Sequence, residues 1–358
     1  MRVIKNVCKN DAALPIISAM TRVTIKDVAR IAGVSPSAVS RVFTDGASAS
    51  EATREKVLTV ARDLGYRPSL LARGLVGTRT NLVTLVMGRM HDPFDALFLD
   101  ELAEALAARG TRLMLASAGR DAAGDSGLLQ ALDYKSDAVI VAAGTMSPEH
   151  ADLCVRAGLP VILSGRVLDA PGVDSVLADN VGGGRQAAEL LVRTGCRRLA
   201  YLGRGGATFS DRERLKGFAG AASRAGIEVA TTAVADRDHG TVFQAATDLF
   251  AGPAPPDGLF ASTDSMAIAA IEAARAVGLS VPDDLSIVGF NNVPAAAWRS
   301  NQLTTVDYPI AGVVSGILDL LDSRLADPDR AREVRRIPTG LVVRATTREK
   351  HPHRRGCP

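Results

Sequence analysis

The chain has 358 residues, of which 47% are hydrophobic and 23% charged, so it is too long for one small domain and has an ordinary globular composition. The formal net charge of +3 conceals a difference between regions: residues 21–79 carry ten Lys and Arg against five Asp and Glu, whereas residues 80–343 carry 24 against 32. No run of the sequence approaches the roughly 18 apolar residues of a membrane span, and the basic end is the one suited to nucleic acid.

The first 20 residues carry no folding pattern. They lack the long apolar run of a secretory signal peptide. We interpret residues 1–20 as a disordered arm or a misassigned translation start, and whether translation begins at Met1 or Met20 is left open.

The segment from residue 22 to residue 67 has the pattern of three short helices. Each helix is preceded by a residue whose hydroxyl can cap free backbone N–H groups: Thr24, Ser35 and Ser50. Gly33 ends the first helix, and Pro36 opens the second at a position where its missing N–H costs nothing. The third helix is predicted from Glu51 to Leu64.

Two short helices joined by a Gly-containing turn form a helix-turn-helix, whose second helix enters the major groove of DNA. Ser37 and Arg41 are four residues apart and share one face of that helix. Arg can bond guanine bidentately, and a Ser hydroxyl can reach a base or a phosphate. Taken alone, Arg41 is as easily explained as a solvated surface residue, but its place in this capped unit favours contact with DNA.

The same segment resembles the DNA-binding headpiece of the LacI/GalR family of bacterial transcription regulators. The match runs without a gap over residues 22–76 and includes VTIKDVARIAGVS, AVSRV, TREKV and LGYRP. The resemblance implies that three residues read bases: Pro36, Ser37 and Arg41. It implies phosphate contacts for five others: Thr24, Ser35, Ser40, Thr53 and Tyr66.

Residues 68–75, PSLLARGL, are similar to the hinge helix of this family. The resemblance implies that the helix orders on operator DNA and inserts Leu75 into the minor groove, with Ala72 beside it. An apolar wedge of this kind unstacks a base step and kinks the duplex. The alternative is that Leu75 packs against the following domain.

Beyond residue 80, buried strand-like runs alternate with helical stretches, which predicts parallel sheets of an α/β fold. The pattern LVTLVMG, DELAEALAARG and RLMLASAG starts again at AYLG, so we expect two similar halves with a cleft at the carboxyl ends of their strands. This stretch resembles the periplasmic-binding-protein-like effector domain of the family. The predicted organisation is an arm (1–20), an all-α helix-turn-helix headpiece (21–68), a hinge helix and linker (69–79), an effector-binding and dimerisation domain (80–343) and a basic tail (344–358).

The resemblance also implies effector contacts. Asp92, Pro93 and Phe94 stand where the family often has Asn-Pro-Phe, whose Phe packs against the effector. Arg214 lies in the motif S-x-x-x-R-x-x-G-aromatic, whose Arg reaches the small molecule; an ordinary surface Arg is the alternative. The remaining predicted contacts are Thr263, Asn291 and Trp298. Trp298 is interpreted equally well as a sugar-stacking or a core residue, and Asp264 is expected mainly to cap the next helix.

Several positions depart from the family. Asn291 and Asn292 follow Phe290 where an aromatic residue is commonly followed by Asp-Asp or Asp-Asn, and an amide both donates and accepts. Val181 replaces a polar residue of some sugar-binding members, and Thr263 replaces a frequent Asn. These changes weaken the case for a neutral sugar and favour an anionic or acidic-sugar effector. Three side chains are candidates for the positive charge: Arg214, Arg89 and His239.

Motifs of other functional classes fail. Gly182–Gly184 and Gly203–Gly206 do not fit the dinucleotide fingerprint, and tight turns explain them better. The sequence has no G-x-S-x-G or H-E-x-x-H motif, and its four Cys have no C-x-x-C spacing. We therefore expect no catalytic residues, no metal and no cofactor.

Together these patterns predict a sequence-specific transcription regulator, in this family usually a repressor, that binds a pseudo-palindromic double-stranded DNA operator as a homodimer. A small-molecule effector, a sugar or sugar acid, is expected to switch it, and its place is expected to be the cytoplasm, on the nucleoid, with no membrane. The tail lacks the leucine heptads that would make a tetramer. A solute-binding protein or a cytosolic sugar-active enzyme is the alternative, which would need an export signal or paired acid and base groups.

Replacing Gly74 by Ala is predicted to tighten operator binding. Gly74 stands inside the expected hinge helix, where Gly costs about 1 kcal/mol relative to Ala. Fluorescence anisotropy of an operator fragment measures the change, and an unchanged or weaker affinity would count against the hinge interpretation.

Overall fold

The computed structural model describes residues 23–44, 47–67, 80–118, 125–142 and 146–349. These residues belong to two compact units, one within residues 1–80 and the other within residues 81–358. The predicted hinge residues Ala72, Gly74 and Leu75 lie outside the described residues. The predicted arm, residues 1–20, lies outside them as well.

Three helices form the first unit: α1 (Ile25–Ala32), α2 (Pro36–Val42) and α3 (Glu51–Asp63). Each begins at its predicted cap, where a backbone N–H donates to the hydroxyl of Thr24, Ser35 or Ser50 at 3.2–3.4 Å. Gly33 ends α1 with a φ of 63°, a conformation that favours Gly. The core contains only Val and Ala among its buried residues. The predicted helix-turn-helix is confirmed.

The second unit contains two lobes, each built on a six-stranded sheet. The strands are β1 (Leu82–Met87), β2 (Arg112–Ser117), β3 (Ala138–Val141), β4 (Val161–Ser164), β5 (Val173–Ala178), β6 (Leu199–Gly203), β7 (Val229–Ala233), β8 (Gly258–Ala261), β9 (Ser286–Asn291), β10 (Thr304–Asp307), β11 (Val334–Ile337) and β12 (Gly340–Val342). The helices are α4 (Pro93–Ala108), α5 (Asp125–Asp133), α6 (Pro148–Arg156), α7 (Asn180–Arg193), α8 (Phe209–Arg224), α9 (His239–Ala251), α10 (Asp264–Ala276) and α11 (Ile310–Ala326). Within the described ranges, no helix has the length and apolar character needed to cross a bilayer.

The strand order is β11-β5-β4-β3-β1-β2 in the first lobe and β12-β10-β9-β8-β6-β7 in the second. Neighbouring strands are parallel in both sheets, except that β12 pairs antiparallel with β10. The predicted parallel α/β architecture with two similar halves is therefore confirmed.

The lobes are not consecutive in sequence, which the pattern of strands did not reveal. Helix α11 packs against β4, β5 and α4 of the first lobe, and β11 extends the first sheet beside β5. The chain therefore crosses between lobes three times: after Ala178, after Asp307 and after Ile337. Three connections side by side are suited to a hinge between two rigid bodies.

A buried ion pair fastens the returning segment to the first lobe. The Asp174 carboxylate, which is fully buried in β5, accepts hydrogen bonds from Arg324 Nη2 at 3.0 Å and from Arg330 Nη2 at 2.7 Å. The backbone N–H of Glu333 donates to the same carboxylate at 2.8 Å. Because removing one partner of a buried pair leaves an uncompensated charge, the end of α11 and the start of β11 are held firmly to β5.

Gly182–Gly184 lie inside α7, so their interpretation as a tight turn was wrong. Helices α7 and α8 approach so closely that a Cβ on Gly184 would lie 2.1 Å from the carbonyl oxygen of Arg214. A Cβ on Gly217 of α8 would lie 2.0 Å from the carbonyl oxygen of Val181. These glycines serve close helix packing, a tertiary requirement with no local signature. Gly205 and Gly206 do form a turn, with φ values of 61° and 79°.

The second unit, called the effector unit below for its predicted role, has ordered structure beyond residue 343, the predicted end of that domain. Thr346 and Thr347 are buried, and Thr346 Oγ1 accepts from the Thr304 N–H at 2.8 Å and donates to the Ile287 carbonyl oxygen at 2.7 Å. The basic composition that suggested a tail from residue 344 therefore concealed a segment bonded to β9 and β10.

Replacing Gly184 by Ala should destabilise the effector unit by about 1–3 kcal/mol, because the added methyl group meets backbone rather than a flexible side chain. Urea unfolding followed by far-UV circular dichroism measures the loss. Gly220→Ala is the matched control in α8, since its Cβ would meet nothing closer than Arg224 Nη1 at 3.9 Å. A cost at Gly184 no larger than at Gly220 would contradict the packing argument.

Candidate nucleic-acid interface and effector cleft

The three predicted base-reading residues lie together on the open face of α2. Pro36, Ser37 and Arg41 are all exposed, as is Ser40 of the same helix. Ser37 Oγ lies 2.9 Å from Ser35 Oγ, so one hydroxyl of this face is linked to the helix cap. An exposed helix start that carries an Arg and several hydroxyls suits the major groove, because its buried opposite face, Val39 and Val42, holds it to the core.

Three of the five predicted phosphate-contacting residues lie at helix starts: Thr24, Ser35 and Thr53. Thr24 and Ser35 are exposed caps, and Thr53 in the first turn of α3 lies 2.8 Å from Ser50 across their hydroxyl oxygens. Tyr66 is half-buried, with its ring packed edge-on against Phe43 at 5.9 Å between centroids. Helix starts favour anions because their free N–H groups carry partial positive charge.

Arg41 and Thr53 line the same concavity of the headpiece, although they belong to different helices. The concavity has a volume of about 510 Å³ and is lined by Ala38, Arg41, Ser48, Ala49, Ser50 and Thr53. Arg54, which sequence reasoning had not singled out, donates from Nη1 to the Val42 carbonyl oxygen at 3.1 Å. It thereby joins α3 to the end of α2 and fixes the two walls of the concavity.

In the second unit, Arg214 is buried, which excludes the alternative that it is an ordinary surface residue. Its Nε donates to Asn180 Oδ1 at 2.9 Å, Nη1 donates to the Ser262 carbonyl oxygen, and Nη2 lies 3.5 Å from Asn291 Oδ1. The guanidinium stacks on the Phe290 ring, 3.6 Å from its centroid. Burial lowers the Arg214 pKa.

Phe94 lies on the first-lobe side of the same cluster. It is half-buried, and its ring meets that of Tyr308 edge-on at 4.6 Å between centroids. Burial raises the pKa of Tyr308 to about 12, an effect that the nearby Arg214 charge opposes. Phe94 and Arg214, predicted from separate motifs, are thus brought together through Tyr308.

Asp92 and Pro93, the two predicted contacts next to Phe94, lie at the start of α4. Asp92 is buried and caps α4, where Oδ1 accepts from the Phe94 N–H at 3.0 Å. Pro93 is the exposed first residue of that helix.

The residue that caps α10 is Thr263, not Asp264 as predicted. The Thr263 Oγ1 accepts from the Met266 N–H at 3.4 Å. The fully buried Asp264 carboxylate instead accepts from the Val293 N–H at 2.8 Å and from the Thr305 hydroxyl. Burial raises its pKa to about 6. The expectation that Asp264 caps the helix was wrong because its side chain turns toward β10 and the loop after β9.

Asn291 is buried beside Arg214, and both it and Asn292 have positive φ values, 113° and 54°. Asn is among the few residues that tolerate this conformation. Asn292 turns away from the guanidinium and bonds Asp307 and Arg344, each at 2.7 Å.

Three other predicted positions lie apart from the Arg214 cluster. Trp298 is 61% exposed, so the core interpretation was wrong, and among the described residues no ring contact joins it to the cluster. His239 Nε2 pairs with Glu272 at 3.0 Å on an exposed face of α9 and α10. Arg89 is exposed after β1.

Sequence reasoning missed several residues of this cluster: Asn180, Ser262 and Tyr308. Asn180 and Tyr308 both follow a strand at a crossing between lobes, and a polar residue in such a position is a usable signal. Ser262 contributes only its backbone carbonyl, which no side-chain motif can indicate.

Comparisons with known proteins agree with this geometry. Residues 24–69 match the family description "Bacterial regulatory proteins, lacI family", and residues 188–347 match "Periplasmic binding protein-like domain". The chain is 30% identical to the HTH-type transcriptional regulator DegA of Bacillus subtilis (strain 168), over 91% of this chain and 98% of DegA. It is 34% identical to the HTH-type transcriptional regulator CelR of Thermobifida fusca, over 80% of this chain and 87% of CelR.

Solved structures give the same result. The transcriptional regulator CelR–cellobiose complex is 30% identical, with a TM-score of 0.66, over 91% of this chain and 100% of that one. The lac repressor dimer bound to operator and the anti-inducer ONPF has a TM-score of 0.79 over 91% and 99% of the two chains; at 24% identity it shows the fold alone. The relatives are regulators rather than enzymes.

The raised pKa of Asp264 predicts a pH-dependent stability. The folded chain holds this proton more tightly than the unfolded chain, whose carboxyl titrates near 3.8, so the stabilisation is complete below about pH 4 and is lost as the pH rises toward 6. The unfolding free energy of the wild type minus that of Asp264→Asn should therefore fall over this interval and be constant above about pH 7.

Urea unfolding at constant ionic strength, followed by far-UV circular dichroism, tests this prediction. Asp329→Asn, at an exposed carboxylate, serves as the control and should give a difference that varies little with pH. A difference for Asp264→Asn that stays level or rises between pH 4 and 6 would contradict the burial argument.

Proposed function

Because this chain belongs to the LacI family of bacterial transcription regulators and is a sequence-specific DNA-binding regulator, we propose that it represses transcription from a pseudo-palindromic operator, under the control of a small molecule. The observation that carries the proposal is the presence, in one chain, of an exposed α2 face with Arg41 and a polar cluster around the buried Arg214 at the carboxyl ends of strands. The first is suited to bases and the second to a polar ligand.

In this proposal α2 enters the major groove. Arg41 bonds guanine, Ser37 reaches a base once its link to Ser35 opens, and the ring of Pro36 makes apolar contact with a base edge. The exposed hydroxyl of Ser40, together with Thr24, Ser35, Thr53 and Tyr66, holds the phosphate backbone on both sides of the reading face. These contacts fix the register in which Arg41 reads.

Two such headpieces in a homodimer would match the two halves of the operator, since the symmetry of a dimer and of a palindrome correspond. The match of residues 24–69 to the lacI family of regulatory proteins supports this part of the proposal. The hinge residues Ala72 and Leu75 are proposed to contact the minor groove between the half-sites.

The effector is proposed to bind between the lobes, against Arg214, Phe94 and Asn291. The CelR–cellobiose complex supports a sugar-sized ligand for this fold. A ligand that binds one arrangement of the lobes more tightly than another shifts the protein toward that arrangement. The operator affinity then changes by at most the difference between the two binding free energies of the ligand, typically about 1–3 kcal/mol. The three crossings after Ala178, Asp307 and Ile337 would carry the motion.

Because its proposed target is chromosomal DNA, the protein is proposed to act in the cytoplasm, bound to the nucleoid. A solute-binding role or a sugar-directed enzymatic role is disfavoured, because neither uses the exposed face of α2. The relatives with the same two parts are regulators.

Operator binding by the full chain tests the function. Fluorescence anisotropy with the promoter region beside its own gene should give salt-sensitive binding that exceeds binding to random DNA. Arg41→Ala should weaken operator binding by about 1–3 kcal/mol and leave binding to random DNA nearly unchanged. Arg62→Ala removes an exposed charge at the end of α3 and is the matched control. Equal affinity for promoter and random DNA, or equal losses on both, would refute the proposal.

A further inference from the structure

The Arg214 guanidinium is a buried cation whose hydrogen-bond partners are all neutral. Only 6% of the residue is exposed, and it bonds two amide oxygens and one backbone carbonyl oxygen. These bonds use three of its five N–H groups and leave one on each terminal nitrogen. Among the described residues Arg214 forms no ion pair. The geometry that remains is a two-pronged donor, which fits the two oxygens of an acid.

Asn291 determines this charge balance. Its Oδ1 lies 3.5 Å from Arg214 Nη2, in a position where an Asp of nearly the same shape would supply a full negative charge. The amide leaves the guanidinium without that charge. Because an ionised group is costly to bury unpaired, a ligand that brings a negative charge gains more here than one that brings hydroxyls alone.

The carboxylates whose charges act on Arg214 are hydrogen-bonded to other groups. Asp92 accepts from the start of α4, and Asp264 accepts from Val293 and Thr305. Asp211 accepts from the Tyr201 hydroxyl and from the Gly206 N–H, both at 2.7 Å. Their negative charges partly offset the positive charge of Arg214. Their oxygens accept hydrogen bonds from other groups, however, and do not contact the free N–H groups of Arg214.

The first lobe contributes a second cation at the corresponding edge. Arg166 follows β4, is half-buried, and has one long bond, from Nη2 to the Met146 carbonyl oxygen at 3.5 Å. It forms no ion pair within the ranges that the structure describes. Burial lowers its pKa, as it does for Arg214.

Tyr308 links the end of β4, which leads to Arg166, with the Arg214 cluster. Its hydroxyl interacts with Ser164, two residues before Arg166, and it lies close enough to Arg214 to feel its charge. The carboxyl ends of strands in both lobes, where Arg166 and Arg214 lie, are also where ligands of this kind of fold bind.

Within the function proposed above, we propose that the effector is a small acid of sugar size, whose carboxylate or phosphate is held by the free N–H groups of Arg214 and attracted from the opposite lobe by Arg166. Arg166 has no place among the predicted effector contacts. The neutral hydroxyl-bearing part of the ligand then lies toward Phe94.

Matched acid and neutral probes test the proposal on the full chain. D-Gluconate, D-glucuronate and D-glucose 6-phosphate are compared with D-glucose by calorimetry and by thermal unfolding, at constant ionic strength. We expect at least one acid to bind about tenfold or more tightly than D-glucose. The sugar acids and the phosphate together reveal which anion the site accepts.

Three variants locate the effect. Asn291→Asp should weaken the binding of the acid by about tenfold, because the new carboxylate supplies the missing negative charge. The affinity for D-glucose should stay the same or rise. Arg166→Gln should weaken the acid by a similar factor without affecting D-glucose. Arg156→Gln, which removes an exposed charge of the same lobe, should change neither. Without any ligand, Asn291→Asp should raise the thermal midpoint, since it neutralises a buried cation.

Binding of D-glucose as tight as that of the acids, or an Asn291→Asp variant that keeps the acid preference, would overturn the proposal. If no probe binds, the ligand-free comparison decides: an Asn291→Asp midpoint equal to or below that of the wild type overturns it, and a higher one supports it. Fluorescence anisotropy with operator DNA distinguishes failure of the acid-effector proposal from failure of the regulator proposal. Operator binding released by a neutral sugar alone defeats the acid effector and preserves the regulator, whereas absence of operator binding defeats the regulator itself.

Discussion

The effector unit depends on the close approach of α7 and α8. Gly184 and Gly217 let the two backbones meet, and this contact brings the α8 backbone at Arg214 against the start of α7, where Asn180 accepts from its guanidinium. Phe290 of β9 forms the floor beneath the charge. A side chain on either glycine would separate the helices. The positions of Arg214 and Asn180 therefore depend on two residues that have no functional group.

The position of this cluster would link the proposed ligand to the angle between the lobes. Arg214 and Phe290 belong to the second lobe, Phe94 to the first, and Asn180 and Tyr308 follow crossings between them. A ligand held there contacts both bodies and the connections that join them. Binding of a ligand there would therefore stabilise one angle between the lobes, and a change of that angle is what regulation of DNA binding requires.

Features determined by neighbouring residues could be predicted from the sequence, and features determined by distant ones could not. The caps Thr24, Ser35 and Ser50 and the alternating strands depend on local spacing, and they were predicted correctly. Gly182–Gly184 looked like a turn because their reason lies in α8, and Asp264 looked like a cap because its partners lie in β10 and the loop after β9. The motif predicted that Arg214 binds the effector, but its neutral hydrogen-bond partners lie at or just after the ends of three different strands and are visible only in the folded chain.

The return of α11 and β11 to the first lobe has a consequence for how the chain is made. Asp174 meets Arg324 across 150 residues of sequence, so the first lobe remains without its edge strand and covering helix until the ribosome has passed residue 337. Closing so long a loop is slow, and the unpaired edge of β5 is exposed to other chains in the meantime. The helix-turn-helix, whose contacts are all local, has no such delay. During synthesis, the nascent chain therefore has a DNA-reading module before it has a working sensor.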